Sequence, residues 1–85
     1  MIRYTREMRG IPLWLLREYL QEIGGRVGAE GRISGNGWIA NLAQLEDYRV
    51  GSLHVGQVRL EIEATQDAWV KIHQGLEKKL LRAGG

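Results

Sequence analysis

Val58-Arg59-Leu60-Glu61-Ile62-Glu63-Ala64 alternates without a fault, with Val58, Leu60, Ile62 and Ala64 on one side and Arg59, Glu61 and Glu63 on the other. A period of two with one apolar face marks a half-buried strand. The next stretch changes period. Thr65 or Asp67 stands where a helix cap is wanted, and Trp69, Ile72, Leu76 and Leu80 recur at helical spacing. Lys78, Lys79 and Arg82 fall in the last turns, where positive charge suits the helix dipole. Strand and helix each own one apolar side, so the helix must cover the sheet. Gly75 inside the helix costs about 1 kcal/mol against Ala, and it predicts a close approach of helix to sheet.

Upstream, the two periods appear again. Met1 to Arg9 alternates, with Ile2, Tyr4 and Met8 on the apolar side and Arg6 as the exception there. Pro12 opens a helix with Leu13, Leu16, Leu20 and Ile23 at helical spacing, and Gly24-Gly25 closes it. From Arg26 a strand is expected in which Val27, Ala29, Gly31 and Ile33 share a face. Ser34-Gly35-Asn36-Gly37 signals a hairpin. Trp38, Ala40 and Leu42 then begin a strand, and Gln44 to Asp47 reads as a connection. Tyr48, Val50, Leu53 and Val55 suggest a further strand with a bulge at Gly51, and Gly56-Gln57 suggests a turn. The order is β-α-β-β-β-β-α: an α+β two-layer sandwich over residues 1–85, a single domain, with a largely antiparallel sheet and both helices on one face.

Size and composition bound the function. The chain has 85 residues, 44% apolar and 26% charged, and a formal charge of +2. That is an ordinary globular composition near the lower size limit for one unstapled core. So little core favours self-association or a protein partner. No Cys is present, which excludes disulfides and thiolate chemistry. Three Trp and three Tyr with no Phe put amphipathic rings where a wet boundary or interface is expected. The start of the chain lacks a signal-peptide core and no apolar run could span a bilayer, so no membrane role and a cytoplasmic location are expected.

The outward strand positions Arg3, Glu7, Arg9, Glu30, Arg32, Arg59, Glu61 and Glu63 balance in charge. Nucleic-acid binding would need a one-signed basic field or stacking platforms. A solvated face laced with cross-strand ion pairs is expected instead. His54 and His73 have no spacing partner for a metal, and no metal or cofactor is expected. Glu61 and Glu63 share a face, but Arg59 beside them makes ion pairing the simpler reading. Gly24-Gly25-Arg26-Val27-Gly28 follows a helix and opens a strand, the reverse of a nucleotide loop. No catalytic constellation emerges.

Two features keep further functions open. The chain closes with Arg82-Ala83-Gly84-Gly85, and Gly84-Gly85 is either a helix terminator or the activated end of a carrier. Trp14, Trp38, Tyr48 and Trp69 are candidates to line a small-ligand pocket between helix and sheet.

The element order is that of the TATA-binding-protein-like folds. Within that group, Val55-Gly56-Gln57-Val58-Arg59-Leu60-Glu61-Ile62 followed by the helix Asp67 to Arg82 resembles the small C-terminal domain of proteins related to the molybdopterin synthase small subunit (MoaD) in thermophilic bacteria. The resemblance implies fold more than function. It points to a non-catalytic accessory or interaction domain linked to molybdopterin or sulfur-transfer metabolism. The alternatives are a sulfur or conjugation carrier activated at Gly85, and a small-ligand binding domain. In a carrier of the β-grasp type the Gly-Gly ends a tail after a last strand, and the first two strands form a hairpin. Here a helix precedes the Gly-Gly, and another separates the first two strands.

Overall fold

The computed structural model describes residues 1–82. The order is β1 (Ile2–Arg9), α1 (Leu13–Glu22), β2 (Arg26–Val27), a short 3-10 turn (Ala29–Gly31), β3 (Ile33–Gly35), β4 (Trp38–Val50), β5 (Leu53–Ala64) and α2 (Gln66–Arg82). The strands form one five-stranded sheet ordered β1-β5-β4-β3-β2, and every pairing is antiparallel. The α+β class and the β-α-β-β-β-β-α order expected from the sequence are therefore present.

Both helices lie on one face. Leu16 and Leu20 of α1 and Ile72, Leu76 and Leu80 of α2 meet Met8, Ile33, Trp38, Ala40, Val58, Leu60 and Ile62 in a single buried cluster. The strand contributions keep the parity read from the sequence: even-numbered residues of β1, β5 and the first half of β4 face the helices. Arg6 breaks this apolar parity without being stranded. Its guanidinium reaches the Tyr4 hydroxyl at 3.5 Å and Glu77 of α2 at 3.7 Å, and the Tyr4 contact is the main cause of its raised pKa.

The helix ends are built as their sequences require. Gly24 has φ +107°, its N–H donates to the Gln21 carbonyl, and the Gly25 N–H donates to the Leu20 carbonyl. That is a Schellman cap, which only a residue at ease with positive φ completes without strain. At α2, Thr65 Oγ1 accepts from the Ala68 N–H at 3.1 Å, so Thr65 is the N-cap.

Several local expectations are corrected. Residues 26–33 are not one strand. Glu30 (φ +59°) and Gly31 (φ +74°) reverse the chain, and β3 folds back on β2 with Val27 opposite Ile33. Glu30 and Arg32 therefore leave the sheet face to which they were assigned. Gln44 to Asp47 is not a connection but part of the long β4. Gly51 is not a bulge: with φ +60° it takes the first position of a two-residue hairpin loop between Val50 and Leu53. Gly56-Gln57 is not a turn and lies inside β5. Gly75 faces α1 and not the sheet, since a Cβ there would sit 3.5 Å from Ile23 Cγ2, an ordinary contact.

Candidate functional site

Beyond Gln57 the sheet loses a strand. β1 makes its last pairing at Arg9 with Gln57, and β3 pairs only with Trp38 to Ala40 of β4. The distal parts of β4 and β5, residues 46–56, thus continue as a two-stranded ribbon, in a molecule whose longest dimension is 43 Å.

A bulge sets the chemistry of this ribbon. Leu45 pairs with Gln57 and the next pair is Tyr48 with Val55, so β4 carries one more residue than β5 across that step. The extra residue shifts the parity of β4. Before the bulge, odd residues of β4 lie on the open sheet face; after it, even ones do. Tyr48 and Val55, then Val50 and Leu53, become cross-strand pairs on that open face, while Arg49 and His54 pair on the other. Tyr48 is 38%, Val50 53% and Leu53 66% exposed. Without the bulge, Tyr48 and Val50 would sit on the opposite side of the ribbon from Val55 and Leu53.

Side chains lock the ribbon to the body. Gln57 Nε2 donates to the Glu46 carbonyl at 3.0 Å, and Gln44 Nε2 donates to the Gln57 carbonyl at 2.8 Å. Arg9 Nε donates to Gln57 Oε1 at 3.2 Å, and the Arg9 guanidinium lies 3.6 Å from the centroid of the Tyr48 ring. A cation over an aromatic face adds about 0.5–1 kcal/mol when exposed. Bulge and ribbon are held in one orientation by three side chains from three strand segments.

The remaining sheet face matches its expectation. Arg3 pairs with Glu63 and Arg59 with Glu7, each directly opposite in register. Glu63 is thus part of a cross-strand ion pair, whereas Glu61 lies between Thr5 and Asn41 in register. The histidines lie apart: His54 on the ribbon, His73 on α2, where its ring packs against Trp69 at a 44° tilt and its Nε2 lies 4.0 Å from Glu77. Among the described residues no group of three potential metal ligands occurs. No helix among them is long and apolar enough to cross a membrane.

The four aromatic candidates are distributed over the molecule. Trp38 is buried under Gly35 and Gly25, whose missing Cβ atoms leave room for its indole. Trp14 is 62% exposed on α1, and Tyr48 lies under Arg9 on the ribbon. Trp69 is half-buried, with its ring centroid 5.0 Å from that of Tyr4. Trp38 and Tyr48 line different surface depressions. Gly84 and Gly85 lie outside the described residues. The ribbon itself escaped sequence reading as a unit, although Tyr48, Val50, Leu53 and Val55 are the residues that gave its apolar signal.

Fold and site together define a small α+β module with a helix-covered core, a charge-laced open sheet and an apolar ribbon at one end. The chain belongs to the archaeal MoaD-like protein family, whose model matches residues 4–85. That match is to the family at large and does not single out the C-terminal domain of the thermophilic bacterial proteins. No curated protein matches the chain.

Proposed function

We propose that this chain serves molybdopterin or sulfur-carrier metabolism as a non-catalytic association module, and that the β4–β5 ribbon is the surface it offers to a partner protein. Family membership supports the metabolic setting. One observation carries the role: a bulge gathers Tyr48, Val50, Leu53 and Val55 on one exposed face of a ribbon that the protein's own core does not cover. Apolar side chains clustered on a projection mark an interaction surface more than a solvated one. Aromatic and arginine side chains at its base, Tyr48 and Arg9, are the types that anchor interfaces.

The test is affinity purification from native cells with the wild-type chain and with a Val50→Asp/Leu53→Asp variant. A protein of molybdopterin or sulfur-transfer metabolism should accompany the wild type and be lost with the variant, whose circular dichroism should be unchanged. Equal recovery by both chains would remove the ribbon from the proposal.

The second reading is a carrier activated at its carboxylate. The observation for it is that the family match runs through Gly84-Gly85. Intact mass spectrometry of the native protein separates the two. Replacement of the terminal carboxylate oxygen by sulfur, or an adenylate at Gly85, would establish the carrier. An unmodified terminus across growth conditions would leave the association module.

A further inference from the structure

The outer edge of β1 is open. β1 is the first strand of the sheet and pairs only with β5, and no strand among the described residues lies beyond it. The Gly10 N–H donates to the Gly56 carbonyl at 2.9 Å, which continues the register of β1 on β5 by one residue. By the alternation of an antiparallel ladder, the even-numbered residues of β1 bond to β5. The odd ones, Arg3, Thr5 and Glu7, therefore turn their backbone groups to the open edge. All three are exposed, and no backbone hydrogen bond from a loop or turn among the described residues reaches them.

The flank of α2 above this edge is uncovered as well. α2 reaches β1 through Trp69 against Tyr4 and Glu77 beside Arg6, while on its other flank Gly75 and Lys79 face Ile23 and Glu22 at the end of α1. Val70 stands seven residues before Glu77 and Leu81 four after it, so both share the β1 flank. They are 65% and 74% exposed. The two surfaces are continuous: an unpaired strand edge below, and two uncovered apolar side chains above.

We propose that β1 pairs with β1 of a second copy, antiparallel about a twofold axis at Thr5, joining two five-stranded sheets into one. In that register Thr5 exchanges both backbone hydrogen bonds with its own equivalent, and Arg3 does so with Glu7 of the second copy. A row of alternating charge then crosses the joint: Glu63 and Arg3 of one copy, Glu7 and Arg59 of the other. Within one chain Arg59 engages only Oε2 of Glu7, and Glu63 meets only Nε of Arg3, so Oε1 and the terminal guanidinium nitrogens are left to meet across the axis. An inward charge normally guards a sheet edge, and here Arg6 selects the register. Centring on Arg6 would set it against its own equivalent and Arg3 against Arg9, and centring on Tyr4 would set Ile2 against Arg6. Centring on Thr5 sets Arg6 across from Tyr4 of the second copy, the same phenol it contacts in its own chain. The paired residues, Ile2 to Met8, lie wholly inside β1, and the chain then turns away into the core at Ile11. The axis also sets the two α2 helices side by side over Val70 and Leu81. Such an isologous contact closes at two copies. It stands apart from the ribbon's role, with a different surface and a different partner.

The chain has no Cys, so a single introduced thiol reports cleanly. Thr5→Cys should form a covalent dimer under mild oxidation, because opposed residues of a hydrogen-bonded pair lie about 5.5 Å apart at Cα, within disulfide range. Asn41→Cys, exposed on the same face two strands away, should not. Sedimentation of the wild type should show a dimer. Arg3→Glu and Glu7→Arg should each be monomeric, since each sets like charges opposite one another, and an equal mixture of the two should recover the dimer. Thr5→Pro removes an N–H that β5 does not use, so it should keep its circular dichroism and lose the dimer. The Val50→Asp/Leu53→Asp variant should remain dimeric. A wild type monomeric at up to about 1 mM, the weak limit of specific association, would overturn the proposal, even if another protein proved to bind the edge. So would a dimer that survives Thr5→Pro, a mixture that stays monomeric, or equal crosslinking at Asn41→Cys and Thr5→Cys.

Discussion

The same two strands behave as two different materials along their length. From Trp38 to Leu45 and from Gln57 to Ala64, β4 and β5 form the middle of the sheet, and Leu60, Ile62, Ala64 and Ala40 are fully or almost fully buried beneath the helices. From Glu46 to Gly56 they pair as strands only with each other, joined to the body at the ribbon's base by Arg9 over Tyr48 and by the Gly10 N–H donating to the Gly56 carbonyl, and the exposed side chains include Val50 and Leu53. In the body β5 is paired on both sides, by β1 and β4; in the ribbon each strand has a single partner. Cover differs as well: the body has helices over one face, whereas an isolated hairpin is marginal in water. Stability resides in the body, and the ribbon's apolar side chains are available for binding.

The largest effect that could break this contrast is a cavity in the body. Leu60→Ala should lower global stability by about 2–5 kcal/mol, read from urea midpoints, while Leu53→Ala should stay within about 0.5 kcal/mol of wild type. Comparable losses at the two sites would mean that the ribbon is part of the core.

Next come the glycines that make room for Trp38. A Cβ at Gly25 would meet Ile33 Cγ2 at 2.6 Å and the Leu20 carbonyl oxygen at 2.7 Å, and one at Gly35 would run into the Trp38 indole. Either Ala replacement should cost roughly 1–3 kcal/mol through overpacking, seen as a lower thermal midpoint and a changed Trp emission. Gly51→Ala tests the other half. Its φ of +60° strains an Ala by about 1 kcal/mol, and the penalty should appear as faster amide exchange within the ribbon.

A smaller effect of opposite sign should come from Gly75→Ala. The Cβ would make an ordinary contact with Ile23, and removing a mid-helix glycine should stabilise the protein by about 0.5–1 kcal/mol. Destabilisation would show that α1 and α2 lie closer than their geometry indicates. Disrupting the exposed Arg59–Glu7 pair should change stability least, below about 1 kcal/mol, and that small change should fade in high salt.

How far the sequence could be read follows the same division. β1, both helices and the second half of β5 were legible because each has one covered and one uncovered face, and cover is what alternation records. The ribbon was misdivided because neither of its faces is covered by the body. Gly51 and Gly56 then looked like punctuation of equal weight, although only Gly51 turns the chain. The bulge after Leu45 was hidden for a related reason. Its parity shift is stabilised by Gln44, Gln57 and Arg9, and Gln57 and Arg9 are distant from it in sequence. Turn chemistry misled at residues 29–31, where Glu30 takes a positive φ that its residue type does not announce. Of the candidate site, the apolar residues were visible, and their gathering on one face was not.

The most direct test of the ribbon as binding surface and the body as scaffold is residue-resolved hydrogen exchange on the protein alone and with its co-purifying partner. Alone, amides of 57–64, paired on both sides, should exchange near the global unfolding limit, and those of 46–56 should exchange far faster. With partner bound, protection should rise in 46–56 and change little in the helices. Protection already uniform in the free protein, or a rise confined to the helices, would contradict the division of labour drawn here.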